Sequence, residues 1–179
     1  MFLNAKYPLS TSFNDYFDNE SLAIVVYIMG CCHNCHGCHN KDFQDIYYNK
    51  DTRMFTVEEL SIEIQNFASR NKTNKICLEG GDPLYMQNLH PVKELLKMLK
   101  MKKLDVAIYT GFDIDEVINM DIKDFTYIKC GKYKQEHKQE SKKTDKQIQL
   151  ASKNQEIYDN DFNLLSEEGI MKFKGEEYV

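Results

Sequence analysis

A chain of 179 residues, 42% of them hydrophobic, is long enough for one domain with a buried core of its own and needs no covalent staples. Its net charge of -5 offers no basic footprint for a nucleic-acid surface, and no apolar run reaches the length of a membrane span. Four of the six cysteines are clustered within residues 31–38, with no secretory pattern ahead of them, which points to a reducing cytoplasm.

Residues 1–20 are polar and aromatic without a period and read as an irregular lead-in. Residues 22–28 form a continuous β-branched and aromatic run, the pattern of a strand covered on both faces. Directly after it, residues 30–40 read Gly-Cys-Cys-His-Asn-Cys-His-Gly-Cys-His-Asn. Thr56 and Glu59 have the spacing of a capping box, opening a helix whose apolar face is Val57, Leu60, Ile64, Phe67 and Ala68. Residues 75–78 read as a short buried strand that runs into Glu79, Gly80, Gly81, Asp82 and Pro83. A second helix is expected over residues 89–101, with Pro91 tolerated in its first turn and Val92, Leu95, Leu96 and Leu99 inward.

Residues 105–109 form a third strand ending in Thr110 and Gly111; Ile114, Val117 and Ile118 mark a short helix. Residues 125–130 form a fourth strand, closed by Gly131. Residues 132–146 carry six lysines and almost no apolar side chain after Tyr133; they read as a charged loop, either merely solvated or a docking surface for an acidic partner. Residues 147–151 resemble a further strand, and residues 159–179 are an acidic, mixed C-terminal extension with no assignment.

Strand and helix alternate from residue 21 to the fourth strand, so the expected class is α/β: a core domain over residues 21–158 of mainly parallel strands, open or partly closed into a (βα) barrel. Parallel strands point one way, so the segments that follow them gather at one mouth. The cysteine loop, the Gly80-Gly81 turn, Tyr109 to Gly111 and Gly131 all follow strands and are expected to meet there.

Cys31, Cys35 and Cys38 are spaced Cys-x3-Cys-x2-Cys, three thiols short enough to wrap one inorganic centre. A four-iron cubane is usually held by thiolates, so a three-cysteine loop leaves one iron open to a substrate or cofactor. Zinc competes, since His33, His36 and His39 lie among the thiols, but a closed zinc site usually draws two separated ligand pairs, and Cys77 and Cys130 are solitary. A thioredoxin-like pair of Cys32 and Cys35 would leave Cys31 and Cys38 without a role. Cys32 could also replace Cys31 in an evenly spaced array, though the motifs that follow favour Cys31.

Gly80 and Gly81 let backbone approach a ligand without side-chain obstruction, exposing main-chain donors and acceptors to an amino-acid moiety; the plain alternative is a tight turn. Tyr109 and Thr110 either line the same pocket or pack the core. The three histidines read as surface groups or supports behind the thiolates rather than ligands, and Asn40 as a brace or turn residue.

Three stretches, residues 30–40, 78–84 and 108–112, resemble the activating enzymes of anaerobic (class III) ribonucleoside-triphosphate reductase, a branch of the radical S-adenosylmethionine (SAM) superfamily. Gly131, Lys132 and Tyr133, with Ser152 to Gln155, resemble later segments of that branch, and the likeness covers residues 20–158. The resemblance implies a radical SAM type fold and one [4Fe-4S] cluster on Cys31, Cys35 and Cys38. SAM would sit on the open iron near Gly37, Cys38, His39, Gly80, Gly81 and Tyr109, with no catalytic residue beyond cluster and SAM.

It also implies an electron from a flavodoxin or ferredoxin-like donor, and hydrogen abstraction by a 5'-deoxyadenosyl radical from a glycine of the large reductase subunit. An activase of another glycyl-radical enzyme, another small radical SAM enzyme and a metal-binding interaction module without turnover are the alternatives. The chain departs from the branch at Cys32, an extra thiol, at Glu79, where a small residue is usual, and in the length of the charged stretch 132–146.

Overall fold

The computed structural model describes residues 1–19, 22–47 and 51–173. Strands β1 (Phe2–Lys6) and β2 (Ser10–Ser12) precede β3 (Ala23–Ile28), and the cysteine loop is followed by a 3-10 turn (Lys41–Phe43) and then β4 (Thr52–Thr56). Next come helix α1 (Val57–Arg70), β5 (Lys75–Gly80), helix α2 (Met86–Met101), β6 (Asp105–Tyr109), helix α3 (Ile114–Asn119) and β7 (Tyr127–Cys130). Four short strands follow: β8 (Lys142–Lys143), β9 (Gln147–Gln149), β10 (Glu156–Asp159) and β11 (Ile170–Lys172).

The main sheet runs β10-β7-β6-β5-β3-β1-β4, with β2 also on β3, and its four central strands β3, β5, β6 and β7 are parallel. Each new strand is added on the same side of the last. Right-handed crossovers therefore put every helix on one face, as in a (βα) barrel wall, whereas a doubly wound sheet carries helices on both. The sheet stays open, with β10 and β4 as its edges. The expected α/β class with a parallel core is present; antiparallel strands extend it on both sides.

The helix-covered face buries Ile24, Val26, Ile28, Ile76, Leu78, Val106 and Ile108 against Leu60, Ile64, Val92, Leu95 and Leu99. Each aliphatic side chain so buried contributes about 1.5–3 kcal/mol. Thr56 caps α1 as its spacing requires: Glu59 N–H donates to the Thr56 hydroxyl at 3.1 Å and Thr56 N–H to the Glu59 carboxylate at 2.8 Å. Helix α2 starts earlier than expected, at Met86, so Pro91 lies within it and not in its first turn. The reason is Asn88, buried, whose side-chain amide donates to Met29 O at 2.8 Å and Asp82 O at 3.1 Å and ties the new first turn to the loops above the sheet.

Among the described residues the opposite face has no helix. It is covered by Tyr16 and Phe17 from the N-terminal segment and by Ile148, Leu150 and Met171 from the far end of the chain. Residues 1–20 are thus not an irregular lead-in: β1 and β2 both pair into the main sheet. The charged stretch 132–146 is not a plain loop either, since it contains a 3-10 turn and β8, which forms a separate three-stranded sheet with β9 and β11. Its Lys143 turns inward, donating to Tyr16 O at 2.9 Å. Part of the expected C-terminal extension supplies β11, while residues 174–179 lie outside the described residues. Among the described residues no helix is long and apolar enough to cross a membrane.

Candidate metal centre

At the carboxyl ends of the parallel strands, a cavity of about 160 Å³ is lined by Cys31, Cys35 and Cys38 on one side and by Glu79, Tyr109 and Lys129 on the other. The cysteine loop leaves β3 and is tied down at its start, where Gly30 N–H donates to Phe43 O at 2.8 Å and Cys31 N–H to Gln44 O at 3.0 Å. A turn closed by Cys38 N–H on Cys35 O at 3.2 Å brings the second and third thiols round. Cys32 is exposed and does not line the cavity. Cys77 and Cys130 are buried elsewhere; the Cys77 thiol donates to Asp15 O at 3.2 Å.

The Gly80-Gly81 turn joins β5 to the base of this loop. Gly81 N–H donates to Ile28 O at 2.8 Å and Asp82 N–H to Gly30 O at 2.7 Å. A Cβ on Gly81 would run into the carbonyl oxygens of Gly30 and Phe43, so only glycine lets the two loops touch. Both glycines line the cavity, yet one of the main-chain donors expected to face a ligand is already used to hold the loop.

Asp82 was not singled out by sequence, and it organises the site. Its carboxylate, fully buried, accepts from Leu84 N–H at 2.8 Å and Gly111 N–H at 2.8 Å, and the Thr110 hydroxyl lies 2.9 Å from both its oxygens. His33 Nε2 is 2.6 Å from Asp82 Oδ2, while His33 N–H donates to Cys31 Sγ at 3.5 Å. One carboxylate therefore fastens the cysteine loop, its own turn and the loop after β6. A Cβ on Gly111 would overlap the His33 ring, which also packs edge-on against Phe112 at 4.6 Å. His33 is the expected support behind the thiols; the signal that it pairs with Asp82, 49 positions away, is not in local sequence.

The remaining expected residues divide. Cys31, Cys35, Cys38, His39, Asn40, Gly80, Gly81, Tyr109 and Thr110 line the cavity, whereas Gly37 does not and lies against Gln135 and Tyr133. His36 is exposed. Tyr109 serves core and cavity together: its hydroxyl donates to Asp15 O at 2.6 Å and its ring stacks on Phe17 at 5.1 Å. Asn40 braces the loop through its carbonyl, which accepts from Phe43 N–H at 3.0 Å.

Comparison with known proteins decides what the loop belongs to. Residues 19–158 match the family described as 4Fe-4S single cluster domain. The chain belongs to that family. The anaerobic ribonucleoside-triphosphate reductase-activating protein of Enterobacteria phage T4 is 27% identical over 149 residues, covering 82% of this chain and 89% of that protein. The protein of the same name from Escherichia coli (strain K12) is 25% identical over 105 residues, covering 58% of this chain and 67% of its own length. Among solved structures, QueE from Escherichia coli aligns at a TM-score of 0.43 and 17% identity, over 61% of this chain and 53% of that one.

For a 4Fe-4S single cluster domain the donor set fits. Cys31, Cys35 and Cys38 line one cavity and are all free thiols. Zinc draws its ligands to a single point, whereas the thiolates of a cubane are spread over its corners. Burial pushes the Cys31 thiol up to about 11, against the pull of the His33 N–H, so a bound cation is what would hold it as thiolate.

Burial, with Asp15 adding to it, pushes Glu79 up to about 8. The folded protein then keeps a proton that the unfolded chain loses near its ordinary carboxylate value. Stability drawn from this group is complete at acid pH and is lost as pH rises through about 8. Urea unfolding of metal-free protein should show the midpoint falling between pH 5.5 and 8.5, and Glu79→Gln should flatten that fall; an unchanged slope in the variant would assign it to other groups.

Proposed function

We propose that this protein activates an anaerobic ribonucleoside-triphosphate reductase by radical SAM chemistry, acting in a reducing cytoplasm. The observation that carries the reading is that Cys31, Cys35 and Cys38 open on the same cavity as the strand ends, with Cys32 turned away. The relatives named for that activity, matched over most of the phage protein, support it. Cys31, Cys35 and Cys38 would hold the cluster, leaving one iron for SAM beside Gly80, Gly81, Cys38 and His39. When bound, the cluster supplies the electron, received from a flavodoxin or ferredoxin-like donor, that releases a 5'-deoxyadenosyl radical from SAM for hydrogen abstraction at a reductase glycine.

The chain's own residues orient and enclose. Asp82 and His33 set the position of the Cys31 side of the loop against the strand ends. Tyr109, stacked on Phe17, walls the cavity floor from the covered face of the sheet. The cofactor carries the hard chemistry, and the protein's part is geometry and exclusion of water.

The test uses reductase large subunit made with deuterated glycine. Incubation with reduced activase and SAM should place deuterium in 5'-deoxyadenosine and leave an organic radical on the reductase. Deoxyadenosine without deuterium and without a protein radical would redirect the activity to another substrate.

A further inference from the structure

Residues 131–139, which follow β7, are laced to residues 151–155. Lys134 N–H donates to the buried Ser152 hydroxyl at 3.3 Å, the Asn154 amide to Lys132 O at 2.9 Å and the Gln155 amide to Gly131 O at 3.3 Å. Further along, Gln139 N–H donates to Ala151 O and Lys153 N–H to His137 O, each at 3.0 Å. The charged stretch therefore begins as a fixed arm. It leans on the cysteine loop at Gly37, where an added Cβ would meet Gln135 Oε1 at 2.6 Å and the Tyr133 ring at 3.4 Å. Gly37 is bonded directly to Cys38, and neither Gly37 nor Gln135 lines the cavity. The arm thus touches the thiol loop from outside the cavity.

Lys132, Lys134, Lys138 and Lys153 are all exposed on this arm and its lacing. Among the described residues no carboxylate is within ion-pair reach of any of the four; Glu140 is taken by Lys142 at 3.9 Å. Glu136 is the one acidic residue between Lys132 and Lys138, in a chain whose net charge is -5. A single surface ion pair is worth little. Several charges of one sign on a rigid platform steer an oppositely charged partner and raise its association rate.

We infer that this arm docks an acidic one-electron donor protein, so that the electron reaches the cluster through the outer side of the cysteine loop. The inference rests on the radical SAM reading, which requires an electron from outside. The occupant is the donor and not the reductase, because a reductase glycine must enter the cavity and the four lysines do not line it. One electron passes: the donor is oxidised by one, the cluster is reduced by one, and no atom or proton changes hands.

The test mixes cluster-loaded full-length protein anaerobically with fully reduced flavodoxin or ferredoxin, both acidic, and follows the reduced cluster by freeze-quench electron paramagnetic resonance. With all four lysines changed to glutamine, reduction at low ionic strength should slow by about tenfold or more, the share that charge steering supplies. The deficit should close at about 0.5 M salt, where screening shortens to a few ångströms. Four arginines in their place should keep the wild-type rate. Photoreduced 5-deazariboflavin, small and uncharged, should reduce wild-type and glutamine protein within about twofold of each other, and binding of the reductase large subunit should not move. An unchanged rate with the protein donors, a loss that salt does not erase, or a loss of reductase binding instead overturns the inference alone. So does wild-type protein that deazariboflavin reduces and neither protein donor does. Loaded wild-type protein that deazariboflavin reduces but that cleaves no SAM, even with the reductase present, overturns the radical SAM reading instead.

Discussion

Cys31→Ala, Cys35→Ala and Cys38→Ala will each lose the intact cluster and all SAM cleavage, while Cys32→Ala retains both. The first three thiols line one cavity, and Cys32, next in sequence to Cys31, is exposed outside it. Removing any of the three leaves two anchors for a cluster that takes thiolates at its corners, and His36, exposed, is not placed to substitute. Reconstituted wild-type and Cys32→Ala protein should carry about four irons and four sulfides. The three other variants should fall well below that. Full activity in any of them would reassign the ligands, with Cys32 the first candidate.

Asp82→Ala is expected to be the most damaging single change away from the thiols. It strips the partner from Leu84 N–H, Gly111 N–H, the Thr110 hydroxyl and the His33 ring at once. Removing one member of such a buried network costs about 3–5 kcal/mol, a large share of the roughly 5–15 kcal/mol by which a domain is stable. His33→Ala breaks only one of those contacts and leaves Asp82 its other donors, so it should cost about 1–3 kcal/mol. Its larger effect should fall on the cluster, because the ring's contact with Asp82 fixes the loop segment whose backbone N–H donates to Cys31 Sγ. Chemical denaturation should rank Asp82→Ala below His33→Ala, and the rate of iron release under a chelator should rise in both. Iron release at the wild-type rate in His33→Ala would reduce the pair to a structural contact.

The parts of this site that sequence made legible are those fixed by local pattern. The Cys-x3-Cys-x2-Cys spacing, the buried run before it and the capping box at Thr56 are each written within a dozen residues, and strand direction alone brings the strand-end loops together. What escaped depends on register or on distance along the chain. The pairing of His33 with Asp82 exists only once β3, β5, β6 and β7 are aligned.

Strand β1 was hidden for a different reason. Leu3, Asn4 and Ala5 are all buried, so the segment shows no alternation, and Asn4 is accommodated by donating its amide to Ile46 O at 3.0 Å. The three-residue strand β11 is too short to carry a periodic signal at all, whereas β9 falls inside the strand expected over residues 147–151.

The central claim is that a cluster on Cys31, Cys35 and Cys38 cleaves SAM. The most direct measurement mixes anaerobically reconstituted, chemically reduced protein with SAM and follows 5'-deoxyadenosine by chromatography, with and without the reductase large subunit. The account predicts deoxyadenosine in proportion to intact cluster. A fully loaded, reduced cluster that yields none, even with the reductase present, would contradict it and leave an electron-transfer or binding role.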